Sequence, residues 1–344
     1  MKAVVLAQPG TADSLVLTER PDPSPGPGEA VVRLHAAALN HRDLFLRSGA
    51  TSQGFPPFVM GSDGAGVVEA VGPGVTSVRP GDPVVINPTL SCGTCPACLA
   101  GEHSLCDRFQ ILGGPSDGTL AEFVRVPAQN LYPKPQHLDF RQAAALPLAL
   151  ATAWRAVVSR GRLQPGETVL IHGIGGGVAL YALQIAVAMG ARAIVTSSSD
   201  DKLRRALEMG ASAAIHYRRE DVAARVKELT DGRGADLVVD SGGRLTLPIS
   251  VEAVRRGGRI AYFGATTGAE GTLNFRALFW KQVALLGTTM SNQSEFAAAL
   301  RFVGHVRLVP QVARVFPLAE AAQAFTLLER GEQFGKVVLA VAPA

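Results

Sequence analysis

Four cysteines fall in one short segment, Cys92, Cys95, Cys98 and Cys106, with gaps of two, two and seven residues. Thiolates at this spacing on one loop can converge on a tetrahedral Zn²⁺, because two intervening residues let a turn fold back over the ion. Four sulfurs fill a tetrahedral shell and leave no position for water or substrate. One structural zinc per chain is therefore expected. Two disulfides and an iron–sulfur cluster are the alternatives for four cysteines.

A second pattern lies between Thr168 and Ala179, where the chain reads TVLIHGIGGGVA. Apolar β-branched residues run into a glycine turn and emerge as an Ala- and Leu-rich helix. A dinucleotide pyrophosphate approaches bare backbone at a helix N-terminus, where any β-carbon would collide. The expected cofactor-binding residues are Gly173, Gly175, Gly176, Gly177 and Val178. Glycine turns also join strands to helices for packing alone, and that reading stays open. The next strand ends at Ser197 and Ser198, followed by Lys202, where an NAD-selective site presents a carboxylate. Hydroxyl donors and a lysine suit a 2′-phosphate, so NADP(H) is expected over NAD(H). Lys202 as a solvated residue in a first helical turn is the alternative, with Asp200 and Asp201 capping that helix. Ser241, and Phe263 with Gly264, follow two further strands at the ends where this fold lets a cofactor cross.

The elements that must position these groups are legible in the texture of the chain. It has 344 residues, 47% hydrophobic and 18% charged, which excludes a disordered, coiled-coil or collagen-like protein. The net charge, 33 minus 29, is +4 with no run of like charges, too thin for a nucleic-acid footprint. The first ten residues read as a strand instead of a signal peptide, so a cytoplasmic location is expected. No charged residue occurs between Glu167 and Arg192, yet the glycines interrupt that stretch and no membrane span is expected. Residues 1–149 hold short apolar runs broken by Pro and Gly, a mostly β pattern. Residues 150–293 alternate strand and helix, at 168–172, 178–189, 193–197, 201–209, 237–240 and 259–263, as in a doubly wound parallel sheet. Residues 294–344 give helices at 295–303 and 318–330 and a strand at 336–341. The middle domain thus reads as an insertion between two parts of the first.

Together these features resemble the medium-chain dehydrogenase/reductase superfamily, which includes the zinc alcohol dehydrogenases and quinone oxidoreductases. The resemblance rests on Gly61-Ser62-Asp63-Gly64-Ala65-Gly66, on Val78-Arg79-Pro80-Gly81-Asp82, on the cysteine lobe and glycine turn, and on Phe334-Gly335-Lys336-Val337-Val338-Leu339. It implies an α/β protein: a GroES-like, mostly β catalytic domain around an inserted Rossmann domain. In the zinc alcohol dehydrogenases a Cys, a His and a second Cys hold the catalytic metal. The matching positions here are Asn40, Ser62 and Leu148, none a good zinc ligand. The catalytic zinc is expected to be absent.

Without that Lewis acid, alcohol oxidation lacks its means of stabilising an alkoxide, whereas a conjugated acceptor spreads its own developing charge. The zinc-free quinone oxidoreductases fit this logic, and their Asn-x-x-Asp motif is similar to Asn40-His41-Arg42-Asp43. The resemblance implies that Asn40 and Ser62 polarise a small-molecule carbonyl, Thr152 meets the nicotinamide and Tyr217 helps hold a 2′-phosphate. Asp43 either positions groups within the cleft or orders the loop through backbone hydrogen bonds, and Lys336 either reaches the phosphates or is solvated. His41 is either a proton donor or a surface histidine. Phe45 stands where those enzymes often have tyrosine, and they do not typically carry the cysteine lobe. An alcohol dehydrogenase using His41, Asp43 and Asp63 as metal ligands is one alternative; a non-catalytic NADPH sensor is another. The resemblance also implies a homodimer, with a tetramer as the alternative, paired through an edge strand at 283–290. Loops at 47–58 and 290–295 are expected to shape the substrate pocket.

Overall fold

The computed structural model describes residues 1–50 and 57–341, so 51–56 of the first pocket-shaping loop lie outside the described residues. The chain divides into two compact units, Met1–Ala149 with Ser291–Ala344, and Leu150–Met290. The division at 290 falls three residues before the expected one, because Asn292 caps the helix Gln293–His305 and ties this segment to the first unit.

The first unit is built on a seven-stranded sheet. Its path runs Leu131–Pro133, Pro83–Ile86, Asp63–Val71, Glu29–Ala38, Lys336–Ala340, Val312–Pro317, with Phe123–Pro127 also pairing on Glu29–Ala38. All pairs are antiparallel except the last two strands of the path, which run parallel. The long strand Glu29–Ala38 is buried along most of its length because strands cover both of its edges and side chains pack on both faces. Gly66 shows why the Gly-Ala-Gly run is needed: a β-carbon there would lie 2.1 Å from the Arg33 carbonyl oxygen. The strand Val312–Pro317 is not marked in the sequence, because most of its residues are exposed and Arg314 interrupts the apolar run.

The second unit is a six-stranded, wholly parallel sheet. Its strands are Thr168–Ile171, Arg192–Ser197, Ala213–His216, Ala235–Asp240, Val254–Tyr262 and Ala284–Gly287, in the spatial order third, second, first, fourth, fifth, sixth. Thr168–Ile171 and Ala235–Asp240 are buried throughout, as expected for strands sandwiched by helices on both faces. The direction of the strand order changes between the first and fourth strands, which is where an open α/β sheet receives its ligand. The helix after the glycine turn is Gly177–Ala188, one residue ahead of its expected position. The fifth strand begins five residues before the expected 259, because Gly257 and Gly258 let it continue through an irregular register that an apolar count misses. No helix among the described residues is long and apolar enough to cross a membrane.

Candidate functional site

In the first unit the sheet register brings together residues far apart in sequence. Ala38 faces Asp63 on one side and Val338 on the other. Continuing two residues along each antiparallel strand sets Lys336 opposite Asn40, with Asp63 beside both. The Lys336 ammonium donates to Asp63 Oδ2 at 2.8 Å and to Asn40 Oδ1 at 2.5 Å, while Asn40 Nδ2 donates to the same Asp63 Oδ2 at 2.9 Å. Asp63 Oδ1 accepts the Leu148 backbone N–H at 2.7 Å. All three side chains are buried. Lys336 therefore does not reach for phosphates as expected from its motif; a buried carboxylate holds it, and it is the cation that makes that carboxylate tolerable.

A second layer surrounds this pair. Asn40 caps the helix His41–Ser48, and Asp43 Oδ2 accepts the Asn40 N–H at 2.7 Å in a capping box. Asp43 is buried, its Oδ1 has no hydrogen-bond partner, and the nearest guanidinium, of Arg42, stands 4.0 Å away. Desolvation dominates that weak compensation and pushes its pKa up to about 6. Arg42 donates to Ser62 Oγ at 2.9 Å and to the Gly114 carbonyl at 3.1 Å, bracing the loop 111–114. Ser62 is fully buried and its hydroxyl donates to the Leu112 carbonyl at 2.8 Å. Its single proton is thus spent inside the protein, which corrects the expectation that Ser62 polarises a substrate. His41 lies at the outer end of the cluster with its ring edge-on to Phe45, and partial desolvation lowers its pKa from the usual histidine value.

The four cysteines meet as their spacing requires. None is in a disulfide, and the four sulfurs all lie within 4.8 Å of one another. Four Zn–S bonds of about 2.3 Å in a tetrahedron separate sulfurs by roughly 3.8 Å, and Cys92 and Cys98 Sγ are 3.9 Å apart. Backbone N–H groups of Cys95 and Thr94 point at Cys92 Sγ, and those of Cys92 and Arg108 at Cys106 Sγ. Such donors favour thiolates: the Thr94 and Cys95 amides hold the Cys92 thiol down at about 5, while burial pushes Cys98 up to about 11. The donor set fits Zn²⁺. Among the described residues it is the single group of three or more His, Cys, Asp or Glu side chains whose ligand atoms converge; His41, Asp43 and Asp63 do not.

In the second unit Gly173 and Gly175 adopt φ of 69° and 118°, and a β-carbon on Gly173 or Gly176 would enter open space instead of protein. That open cradle leads directly into the helix Gly177–Ala188, whose N-cap Gly176 offers no side-chain acceptor to its first N–H groups. A pyrophosphate fits these bare donors. Thr196, which the sequence reading missed, pins the turn: its Oγ1 accepts the Gly173 N–H at 3.1 Å and its carbonyl the Ile174 N–H at 2.8 Å. Only its place at the end of the second strand hints at that task. Tyr217 donates to Ser198 Oγ at 3.1 Å, and Ser197 Oγ accepts the Ser199 N–H. The Lys202 side chain lies against Gly175, close enough that a β-carbon there would meet its Cδ at 2.9 Å. Ser199, not either aspartate, caps the next helix; Asp200 and Asp201 pair with Arg219 and Arg204 instead. Gly264 is small because the Ser241 carbonyl passes 2.6 Å from where its β-carbon would be, and Phe263, directly after the strand Val254–Tyr262, donates its N–H to the Asp240 carbonyl at 3.1 Å. Thr152 is buried with its hydroxyl 3.9 Å from Met290 Sδ.

Comparison with known proteins agrees with this geometry. Residues 26–136 match the family model of the alcohol dehydrogenase GroES-like domain, and residues 177–305 that of the zinc-binding dehydrogenase. The chain belongs to the medium-chain dehydrogenase/reductase superfamily. A crystal structure of an NAD-dependent alcohol dehydrogenase is 49% identical, covers 99% of this chain and 100% of its own, and superposes with a TM-score of 0.96. The alcohol dehydrogenase of Geobacillus stearothermophilus is 32% identical over 99% of this chain and 100% of its own length. The acryloyl-coenzyme A reductase of Metallosphaera sedula is 30% identical over 98% and 99%. This member of the superfamily is an NAD(P)-dependent oxidoreductase.

Two outcomes follow from the site. Asp43 is destabilising once ionised, so its contribution to stability is full below pH 3.8 and is lost as pH rises through about 6. Asp43→Asn removes that dependence, and its stability relative to the unaltered protein should improve by roughly 2 kcal/mol between pH 4.5 and pH 8, measured by denaturant unfolding. Replacing the buried Cys98 with serine should reduce zinc from one per chain to near none by elemental analysis and lower the melting temperature by several degrees.

Proposed function

We propose that the protein is an NADP(H)-dependent reductase that delivers hydride to a conjugated carbonyl, quinone, enone or enoyl acceptor without a catalytic zinc. The observation that carries this reading is the Lys336 ammonium beside Asp63 and Asn40. Where a catalytic metal would need ligands, this chain supplies Asn40, Ser62 and Leu148, and a protein cation already satisfies the adjacent carboxylate. All four cysteines are committed to the lobe, so no thiolate remains for a second zinc. When bound, the reduced nicotinamide supplies the hydride. Asn40 has one amide hydrogen beyond that given to Asp63, and we assign it to the acceptor's carbonyl oxygen. Lys336 orients that amide by holding its oxygen, and Asp43 orients the Asn40 backbone. Solvent or the imidazolium form of His41 supplies the proton, and desolvation, which lowers the His41 pKa, makes that form the minor one at pH 7.

Ser198, Tyr217 and Lys202 support the choice of NADP(H), because two hydroxyls and an ammonium gather beside the glycine turn with no carboxylate among them. The acryloyl-coenzyme A reductase supports an activated-alkene acceptor, whereas the names of the two alcohol dehydrogenases favour the alternative of alcohol turnover. We further propose a homodimer through the edge strand Ala284–Gly287, where Leu285 is exposed, as are Phe279 and Trp280, both 65%, in the preceding helix Phe275–Lys281. An apolar sheet edge of this kind needs a cover.

A panel of quinones, enones and enoyl thioesters should oxidise NADPH, and Asn40→Ala should lower kcat/KM at least about ten-fold while leaving NADPH affinity within about two-fold. Two zincs per chain with chelator-sensitive alcohol oxidation would instead establish the dehydrogenase reading, and tight NADPH binding with no turnover anywhere a sensor. Lys202→Ala should weaken NADPH by about ten-fold and NADH hardly at all in fluorescence titrations. Leu285→Lys should convert the dimer to a monomer in light scattering.

A further inference from the structure

Beneath the ends of the first and fourth strands of the second unit lies a buried polar chain that the reaction described above does not use. His172 directly follows the first strand and Asp240 ends the fourth; Ser250, in the helix Thr246–Ala253, lies between them. All three are buried. His172 Nε2 is 3.1 Å from Ser250 Oγ, and Ser250 donates to Asp240 Oδ2 at 2.7 Å. Asp240 Oδ1 accepts the Gly242 N–H at 2.8 Å, the Gly243 N–H at 3.2 Å and the Thr246 hydroxyl at 2.5 Å. All of these partners donate, as an ionised, acceptor-only carboxylate requires. Ser250 Oγ also lies 3.0 Å from the Thr246 carbonyl; with either oxygen taking its one proton it accepts from His172, whose burial lowers its pKa and keeps it neutral. Among the described residues no lysine or arginine pairs with Asp240. This contrasts with Asp63 and with Asp236 at the other end of the same strand, each of which has a cation at 2.8 Å or less.

The net negative charge therefore stands at the point where the strand order reverses, under the crevice in which a cofactor crosses the sheet. We propose that Asp240 tunes the bound couple: its uncompensated charge favours the oxidised nicotinamide, a cation, over the reduced, neutral ring. Loss of hydride leaves the ring one unit more positive, so a fixed carboxylate stabilises the product of hydride donation and not its reactant. A low dielectric around buried groups strengthens that preference. Asp240 thereby makes the reduced cofactor a stronger donor toward the acceptor. Its hydrogen bonds to Gly242 and Gly243 hold the loop after the fourth strand, and the His172–Ser250 chain fixes the carboxylate's orientation without neutralising it. This assignment rests on the nicotinamide reading above.

The test is the ratio of dissociation constants for NADP⁺ and NADPH, measured by calorimetry in the unaltered protein, Asp240→Asn and Ser250→Ala. Asparagine keeps an oxygen for Gly242, Gly243 and Thr246, so the loop remains held. We expect Asp240→Asn to weaken NADP⁺ about ten-fold with NADPH within about two-fold, which raises the potential of the bound couple by about 30 mV. In Ser250→Ala the carboxylate loses a screening donor, and the ratio should move about two- to three-fold the opposite way. Equal weakening of both forms in Asp240→Asn would reduce Asp240 to a loop anchor and overturn the proposal, as would a shift of the same sign in both variants. Should the asparagine variant fail to fold, the Ser250→Ala ratio alone decides, an unchanged or reversed ratio counting against. An unaltered protein that binds neither nucleotide would overturn the cofactor reading itself and this assignment with it.

Discussion

The charge balance of Asp63 governs the first unit. A carboxylate with no solvent contact is costly, and removing one partner of such a pair typically destabilises by about 3–5 kcal/mol. Here the compensation comes from Lys336, on a strand that reaches Asp63 only because Val312–Pro317 and Lys336–Ala340 return to complete the sheet. Asn40 bridges the two charges with both ends of its amide. The side chain we assign to the acceptor's oxygen is therefore also the one whose orientation the pair dictates. The same arrangement explains how the fold tolerates non-ligands at Asn40, Ser62 and Leu148: each is absorbed into a hydrogen-bond network in which Arg42 and Lys336 carry the positive charge.

The two units solve different electrostatic problems. In the first, opposite charges are neutralised pairwise within the interior. In the second, the glycine turn and its helix offer unsatisfied N–H groups to an anion, and Asp240 retains a charge with dipolar partners alone. The cysteine lobe is a third solution, since a short segment with no core of its own can be closed by an ion. His103 within that lobe accepts the Gln293 N–H, and Tyr132 donates to the Gln293 carbonyl, so the lobe also steadies the start of the helix that follows the second unit.

Motifs whose chemistry is local were legible in the sequence. The cysteine spacing and glycine turn need only a few neighbouring residues, and their geometry follows from short-range sterics. The parallel sheet was legible because its central strands, Thr168–Ile171 and Ala235–Asp240, are mostly apolar and alternate with helices, whereas the arginines of Val254–Tyr262 hid the start of the fifth strand. Roles created by register were not. Lys336 reads as a lysine near a strand start, and nothing local says that Asp63 awaits it 273 residues upstream. Ser62 reads as a donor because its motif position is that of a catalytic-metal ligand in the zinc alcohol dehydrogenases, whereas the Leu112 carbonyl accepts its proton here. Thr196, Ser250 and His172 escaped notice because each acts through a neighbour supplied by another strand or helix.

A site whose last charge arrives near the C-terminus has a consequence for biosynthesis. Domains generally fold as units while the chain emerges from the ribosome. The second unit is contiguous in sequence and can fold once its own residues have cleared the exit tunnel. The first is split: until Lys336 appears, Asp63 has no ammonium and residues 36–38 of the strand Glu29–Ala38 lack a neighbour on the edge that Phe123–Pro127 covers only at 29–33. The first unit can therefore close its sheet only after the whole of the second has been made.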